Sequence, residues 1–124
     1  MNQPISDAES LVMQVLWERH PLASEDVVAA LARTTDWQEP TVKTLLNRLL
    51  KKGAIVARRD GRRYLYRPRL ARADYVHAAS KGLLDRLFDG RVAPLVAHFS
   101  QHRKLTKKDI AELKRLIEEI DADE

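Results

Sequence analysis

The chain contains no cysteine. That excludes disulfides, thiolate metal sites and thiol nucleophiles, and it suits a reducing cytosol. Long apolar runs are missing too, since nothing approaches the roughly 20 residues that a membrane span requires. The N-terminus, MNQPISDAES, has neither an apolar segment nor a run of positive charge, so no signal peptide is read there. No internal repeat or low-complexity segment is visible. His20, His77, His98 and His102 have serines and acids near them in sequence but no recognisable nucleophile setting. These absences point to a soluble, cytoplasmic, non-enzymatic protein with no cofactor and no membrane insertion.

What remains is charge and helical periodicity. The 124 residues carry a net charge of +4, with 44% hydrophobic and 32% charged side chains, enough for one compact domain or a small domain with an oligomerising appendage. The charge is uneven. From Arg33 to Arg72, twelve lysines and arginines stand against three acids, whereas from Lys104 to Glu124 five basic residues meet seven acids. A basic middle and an acidic tail imply two regions with different tasks, the first suited to an anionic partner.

Ser6 with Glu9 forms a capping-box pattern opening a first helix, along which Ala8, Leu11, Val12, Val15 and Leu16 follow at helical spacing to about His20. Pro21 stops it. Ser24 is expected to cap a second helix carrying Val27, Val28 and Leu31. Pro40 suits the first turn of a third, on which Val42, Leu45, Leu46, Leu49 and Leu50 share one face. Gly53 ends it. Strand-like runs then flank Asp60-Gly61, a hairpin signal, and Tyr64 and Tyr66 share a strand face expected to be core. Trp17 and Trp37 read as packing residues.

Beyond Pro68 helical periodicity returns. Tyr75, Ala79, Leu83, Leu84, Leu87 and Phe88 mark a fourth helix, Pro94 to Gln101 a short fifth, and Thr106 with Asp109 caps a sixth. On the sixth, Ile110, Leu113, Ile117 and Ile120 follow heptad spacing. These stripes are too apolar for so small a segment, so a two-fold homodimer is expected, built on Tyr75, Leu83, Leu84, Leu87, Phe88, Ile110, Leu113, Ile117 and Ile120.

The fold class is therefore mainly α: a winged helix-turn-helix with a three-helix core and a two-stranded wing over 1–70, followed by a helical dimerisation region over 71–124. A helix entering the major groove reads bases with its exposed side chains. Lys43 and Arg48 can donate to guanine, Asn47 can pair with adenine and Thr44 can meet a thymine methyl. Thr41 and the free amides at the helix start suit a phosphate, and Lys51 adds charge. Arg58, Arg59, Arg62 and Arg63 around the wing tip suit phosphates or the minor groove, contacts that fix register rather than sequence. The expected partner is double-stranded operator DNA. A winged helix that serves only as a protein-interaction module is the alternative on pattern alone.

The segments Ile5-Ser6-Asp7-Ala8-Glu9, Val15-Leu16-Trp17, Thr35-Asp36-Trp37, Thr41 to Leu49, Lys51-Lys52-Gly53 and Gly61 to Pro68 closely resemble the penicillinase-repressor family that includes BlaI, MecI and CopY. Phe88-Asp89-Gly90 and Leu95-Val96-Ala97 extend the resemblance along nearly the whole chain. It implies a homodimeric repressor on an inverted-repeat promoter site. The copper-responsive branch of that family carries a C-terminal cysteine motif, which a chain without cysteine excludes. The β-lactam-responsive branch is relieved by cleavage between an asparagine and a phenylalanine in the fifth helix, after signalling by a membrane metallopeptidase receptor. The matching pair here is His98-Phe99, with histidine in place of asparagine. The resemblance thus implies proteolytic relief at that bond. A regulator released by direct ligand or metal binding at the dimer interface is the alternative. His98 and His102 lie four apart with no third ligand evident, which favours a solvent-facing pair and no metal.

Overall fold

A computed structural model describes residues 4–123; Met1 to Gln3 of the expected leaderless start and Glu124 of the acidic tail lie outside it. Helices α1 (Asp7–Glu18), α2 (Ser24–Leu31) and α3 (Glu39–Lys51) precede strands β1 (Ile55–Asp60) and β2 (Arg63–Pro68). Helices α4 (Arg72–Phe88), α5 (Val92–Gln101) and α6 (Lys107–Ala122) complete the described chain. This is the mainly helical architecture with one two-stranded antiparallel sheet that the periodicity indicates. The chain divides into two compact units, Met1–Val76 and His77–Glu124.

In the first unit the caps are chemical. The Glu9 amide donates to Ser6 Oγ at 3.1 Å, while the Ser6 amide donates to Glu9 Oε1 at 2.9 Å. The other end of α1 is tied by the His20 ring, whose Nδ1–H donates to the Leu16 carbonyl at 2.8 Å. Helix α2 departs from expectation: its cap is Ala23, not Ser24. An alanine side chain accepts nothing, so Asp26 supplies the bond by receiving the Ala23 amide at 3.0 Å. Helix α3 ends in a Schellman motif. Ala54 N–H reaches Leu49 O at 3.0 Å, Gly53 N–H reaches Leu50 O at 3.1 Å, and Gly53 takes φ +74°.

The apolar stripes meet in a single core. Val12, Met13 and Leu16 of α1, Val27 and Leu31 of α2, and Val42, Leu45, Leu46 and Leu49 of α3 are buried together with Ile55 and Tyr66. Trp17 packs at the edge of this core. Its indole N–H donates to Leu70 O at 2.9 Å and its ring lies 5.4 Å from that of Tyr75. Tyr75, which periodicity counts among the dimerisation residues, here packs the first turns of α4 against α1 within one copy.

One charged residue is buried in this core. Glu9 is 1% exposed, and Lys52 at the end of α3 reaches in to it, Nζ to Oε1 at 2.6 Å, while also donating to Pro4 O at 2.7 Å. Burial pushes the Glu9 carboxyl upward. The hydrogen bonds from Lys52 and Ser6, with the Lys52 charge, outweigh that and leave it below its ordinary value. The far oxygen, Oε2, has no partner among the described residues.

In the second unit no described residue is fully buried. Leu84, Phe88, Leu95, Val96 and Leu113 are half-buried, whereas Leu83, Leu87, Phe99, Ile110, Leu116, Ile117 and Ile120 are exposed, Leu87 and Ile120 at 60% and 61%. Helix α6 is capped as expected, with Asp109 N–H on Thr106 Oγ1 at 3.0 Å. Helix α5 begins at Val92, two residues before the expected Pro94, because proline is tolerated within a first turn. It closes on Arg103, whose φ of +56° is a conformation that costs a side-chain-bearing residue about 1 kcal/mol.

A depressed carboxylate contributes stability above its unfolded value, here 4.5, and loses it as the pH falls through the lower folded value. Lys52→Met is therefore expected to destabilise the protein by about 3 kcal/mol at neutral pH, by stranding the Glu9 charge. Urea denaturation should show that deficit shrinking as the pH falls, first as the stranded Glu9 of the folded variant protonates and then, below 4.5, as the wild-type carboxylate loses the stability its lowered value gives. An equal deficit at all pH values would mean that Lys52 contributes by packing alone.

Candidate nucleic-acid interface

Helix α3 presents two unlike faces. Its leucines enter the core, while Thr41, Lys43, Thr44, Asn47, Arg48 and Lys51 are all exposed. Its start has no side-chain cap, and Pro40 lies in the first turn, so early amides of the helix remain free for an outside acceptor. Thr44 is exposed, and its Oγ–H donates back to Pro40 O at 3.0 Å. Lys43 pairs with Glu39 at 3.2 Å, and the same carboxylate oxygen accepts from Ser24 Oγ at 3.2 Å. The base of α3 is thereby tied to the start of α2, and Lys43 is partly neutralised. Among the described residues Arg48 and Lys51 have no acidic partner. Lys52, one of the basic residues of this segment, is diverted inward to Glu9.

The wing is built by register. Ile55 pairs with Pro68, Ala57 with Tyr66, Arg59 with Tyr64 and Asp60 with Arg63. The turn is therefore Gly61-Arg62 rather than the expected Asp60-Gly61. With φ +64° at Gly61 and an ordinary φ at Arg62, it follows the two-residue pattern with glycine first. Asp60 stays in the strand because it pairs with Arg63, Nε to Oδ2 at 3.6 Å. Leu22 adds an isolated antiparallel bridge to Tyr66, outside the two strands. Its N–H donates to Tyr66 O at 3.0 Å and it accepts from Tyr66 N–H at 2.8 Å. A single residue between Pro21 and a helix has no periodicity, so sequence reasoning missed it.

The wing arginines are not equivalent. Arg63 bonds Glu25 of α2 at 3.2 Å as well as Asp60, so it fastens the wing to the helices. Arg59 Nε–H donates to Gly61 O at 3.1 Å and stiffens the turn. Arg58 and Arg62 are exposed and, among the described residues, without an acidic partner. Tyr66 is buried, but Tyr64 is 50% exposed and not core, because the hairpin has by then run past the helices. Burial pushes the Tyr66 phenol above its ordinary value against the opposing field of Lys43.

Arg48, Lys51, Arg58 and Arg62 are thus uncompensated cations on a helix and an adjoining hairpin, with Asn47 and Thr44 beside them. This geometry defines a winged helix-turn-helix protein of the nucleic-acid-reading kind. The family model described as penicillinase repressor matches residues 5–119, and the chain belongs to that family. It is 35% identical to the penicillinase repressor of Bacillus licheniformis over 115 residues, 93% of this chain and 90% of the relative. It is 27% identical to the methicillin resistance regulatory protein MecI of Staphylococcus aureus over 113 residues, 91% of this chain and 92% of the relative. The solution structure of Bacillus licheniformis BlaI, a monomeric form in complex with the blaP half-operator, superimposes with a TM-score of 0.52 at 37% identity. It covers 60% of this chain and 92% of that one.

Gly61→Val should cost about 1–2 kcal/mol, since a β-branched residue resists positive φ. Amide chemical shifts are expected to move in β1, β2 and Leu22 while those in the middle of α1 stay fixed. Shifts spread evenly through the three helices would show that the wing is not a separable element.

Proposed function

We propose that this protein is a transcriptional repressor that binds an inverted-repeat operator as a homodimer, one α3 entering the major groove of each half-site. The carrying observation is the outward face of α3, where Arg48 and Lys51 have no acidic partner among the described residues, next to a wing tip bearing Arg62. The operator-bound relative is similar over 60% of this chain. In this reading Lys43, Thr44, Asn47 and Arg48 meet base edges, and Thr41 and Lys51 hold phosphates. Arg58 and Arg62 grip the backbone or minor groove beside the wing. Arg59 and Arg63 are engaged within the protein and act mainly by holding the wing in place.

Residues 71–124 form the dimerisation region in this proposal, and its unburied apolar side chains are what a second copy would cover. Two reading modules joined rigidly bind far more tightly than one, because the second contact is intramolecular. Relief of repression then requires only separation. Cleavage at His98–Phe99, prompted indirectly by a membrane metallopeptidase sensor in an antibiotic or cell-wall stress response, would remove α6. The protein acts in the cytoplasm, where its operator is. No described helix is long and apolar enough to cross a membrane.

A gel shift with DNA from upstream of the protein's own gene tests the reading. Arg48→Ala and Asn47→Ala should each weaken the specific complex by about 1–3 kcal/mol and relax selectivity at one base position. Arg62→Ala should weaken all sequences alike and reduce the log–log salt slope by about one for each half-site. Retardation that any competitor DNA abolishes equally would overturn operator recognition. Lifting of repression with the chain still full length would overturn proteolytic relief.

A further inference from the structure

We propose that His98, in the last turn of α5, and His102, its C-cap, form a two-imidazole chelate for a late first-row divalent ion of the Zn²⁺, Ni²⁺ and Cu²⁺ class. Spacing alone leaves them an ordinary solvent-facing pair, but the structure adds three observations. The rings lie together, centroids 4.7 Å apart, and both residues are exposed to an incoming ion. Their nitrogens are uncommitted: His20 is bonded to Leu16 O, but among the described residues no such bond holds His98 or His102. Finally, His98 is flanked by Phe88 at 6.1 Å and by the edge of Phe99 at 5.2 Å, which narrows its rotamers before any ion arrives.

The donor set selects the ion. Imidazole suits Zn²⁺, Ni²⁺ and Cu²⁺ and leaves Mg²⁺ and Ca²⁺ to oxygen ligands. No cluster of three or more potential ligands exists among the described residues, so water completes the shell. A metal 2.0–2.1 Å from each ring needs the two nitrogens about 3 Å apart, a separation within reach of side chains four residues apart on one helical face.

Such an ion would clamp the segment that the helix itself closes, since His102 N–H already donates to His98 O at 3.2 Å. The next residue, Arg103, takes a strained positive φ of +56°. Chelation therefore stabilises the turn containing the His98–Phe99 bond and opposes the local opening that a protease needs. The metal site stands whether or not the DNA-binding reading does.

NMR on the unaltered full chain tests it, with Ni²⁺ or Cu²⁺ as a paramagnetic probe. Substoichiometric ion should broaden signals of residues 98–102 first, and broadening that begins at His20 or His77 would overturn the site. In calorimetric titration with Ni²⁺, His98→Gln and His102→Gln should each weaken binding by about tenfold or more, whereas His77→Gln should leave it unchanged. Retained wild-type affinity in both variants would overturn it too. Hydrogen exchange at amides 99–104 should slow with Ni²⁺ in the wild type and not in His102→Gln, and exchange that the ion leaves unchanged would overturn the clamp.

Discussion

Helix α3 must satisfy two surfaces at once, and that constraint organises the first unit. One face supplies Val42, Leu45, Leu46 and Leu49 to the core, and the other must stay cationic and uncovered. A helix can do both only if it is held without using its outer side chains. The structure does this from the ends. At the C-terminus Gly53 closes the helix and Lys52 turns back to Glu9. At the N-terminus Glu39 is tied to Ser24 and Lys43. Between these anchors Asn47 and Arg48 remain free to meet something else.

The Glu9–Lys52 pair explains why the α1 cap matters so far from the reading surface. A carboxylate that only capped its helix would sit in solvent. Here the capping glutamate is buried, so it needs a cation, and the cation comes from the end of α3. Desolvating two charges costs several kcal/mol, which the pairing returns only with good geometry. Such a pair adds little net stability but tolerates few arrangements. It thereby fixes the register of α3 against α1, and with it the angle at which the exposed face is offered.

The sequence made the large elements legible because their signals are periodic or local. Leucines at helical spacing located α3, the Ser6–Glu9 box located α1, and glycine between strand-like runs located the hairpin. Tertiary pairings without such a signal were hidden. Leu22 forms a β-bridge only because Tyr66 lies opposite. The turn slipped one residue because Asp60 gained more as a partner for Arg63 than as a turn residue. Lys52 counts as surface charge until the fold brings Glu9 beneath it. Arg58, Arg59, Arg62 and Arg63 read alike in one dimension, yet two are bonded within the protein and two have no acidic partner among the described residues. Base-reading candidates were easier to pick, since a helix sorts its faces by arithmetic and a hairpin tip does not.

The second unit poses the opposite problem, because it has helices and caps but no buried centre. Three short helices are marginal in water unless their apolar faces are covered. In the proposed dimer that cover comes from the partner, so folding of this unit and pairing of the two readers become a single equilibrium. A cut in α5 then acts on assembly as well as on chain length, since α6 carries Ile110, Ile117 and Ile120, all exposed within one copy. The same coupling gives the His98–His102 turn its leverage. In that proposal, whatever holds the turn closed also protects the bond whose loss would separate the pair. In the proposed scheme histidine at position 98 would therefore change more than a protease's subsite, because ion binding there would also set the stability of the bond.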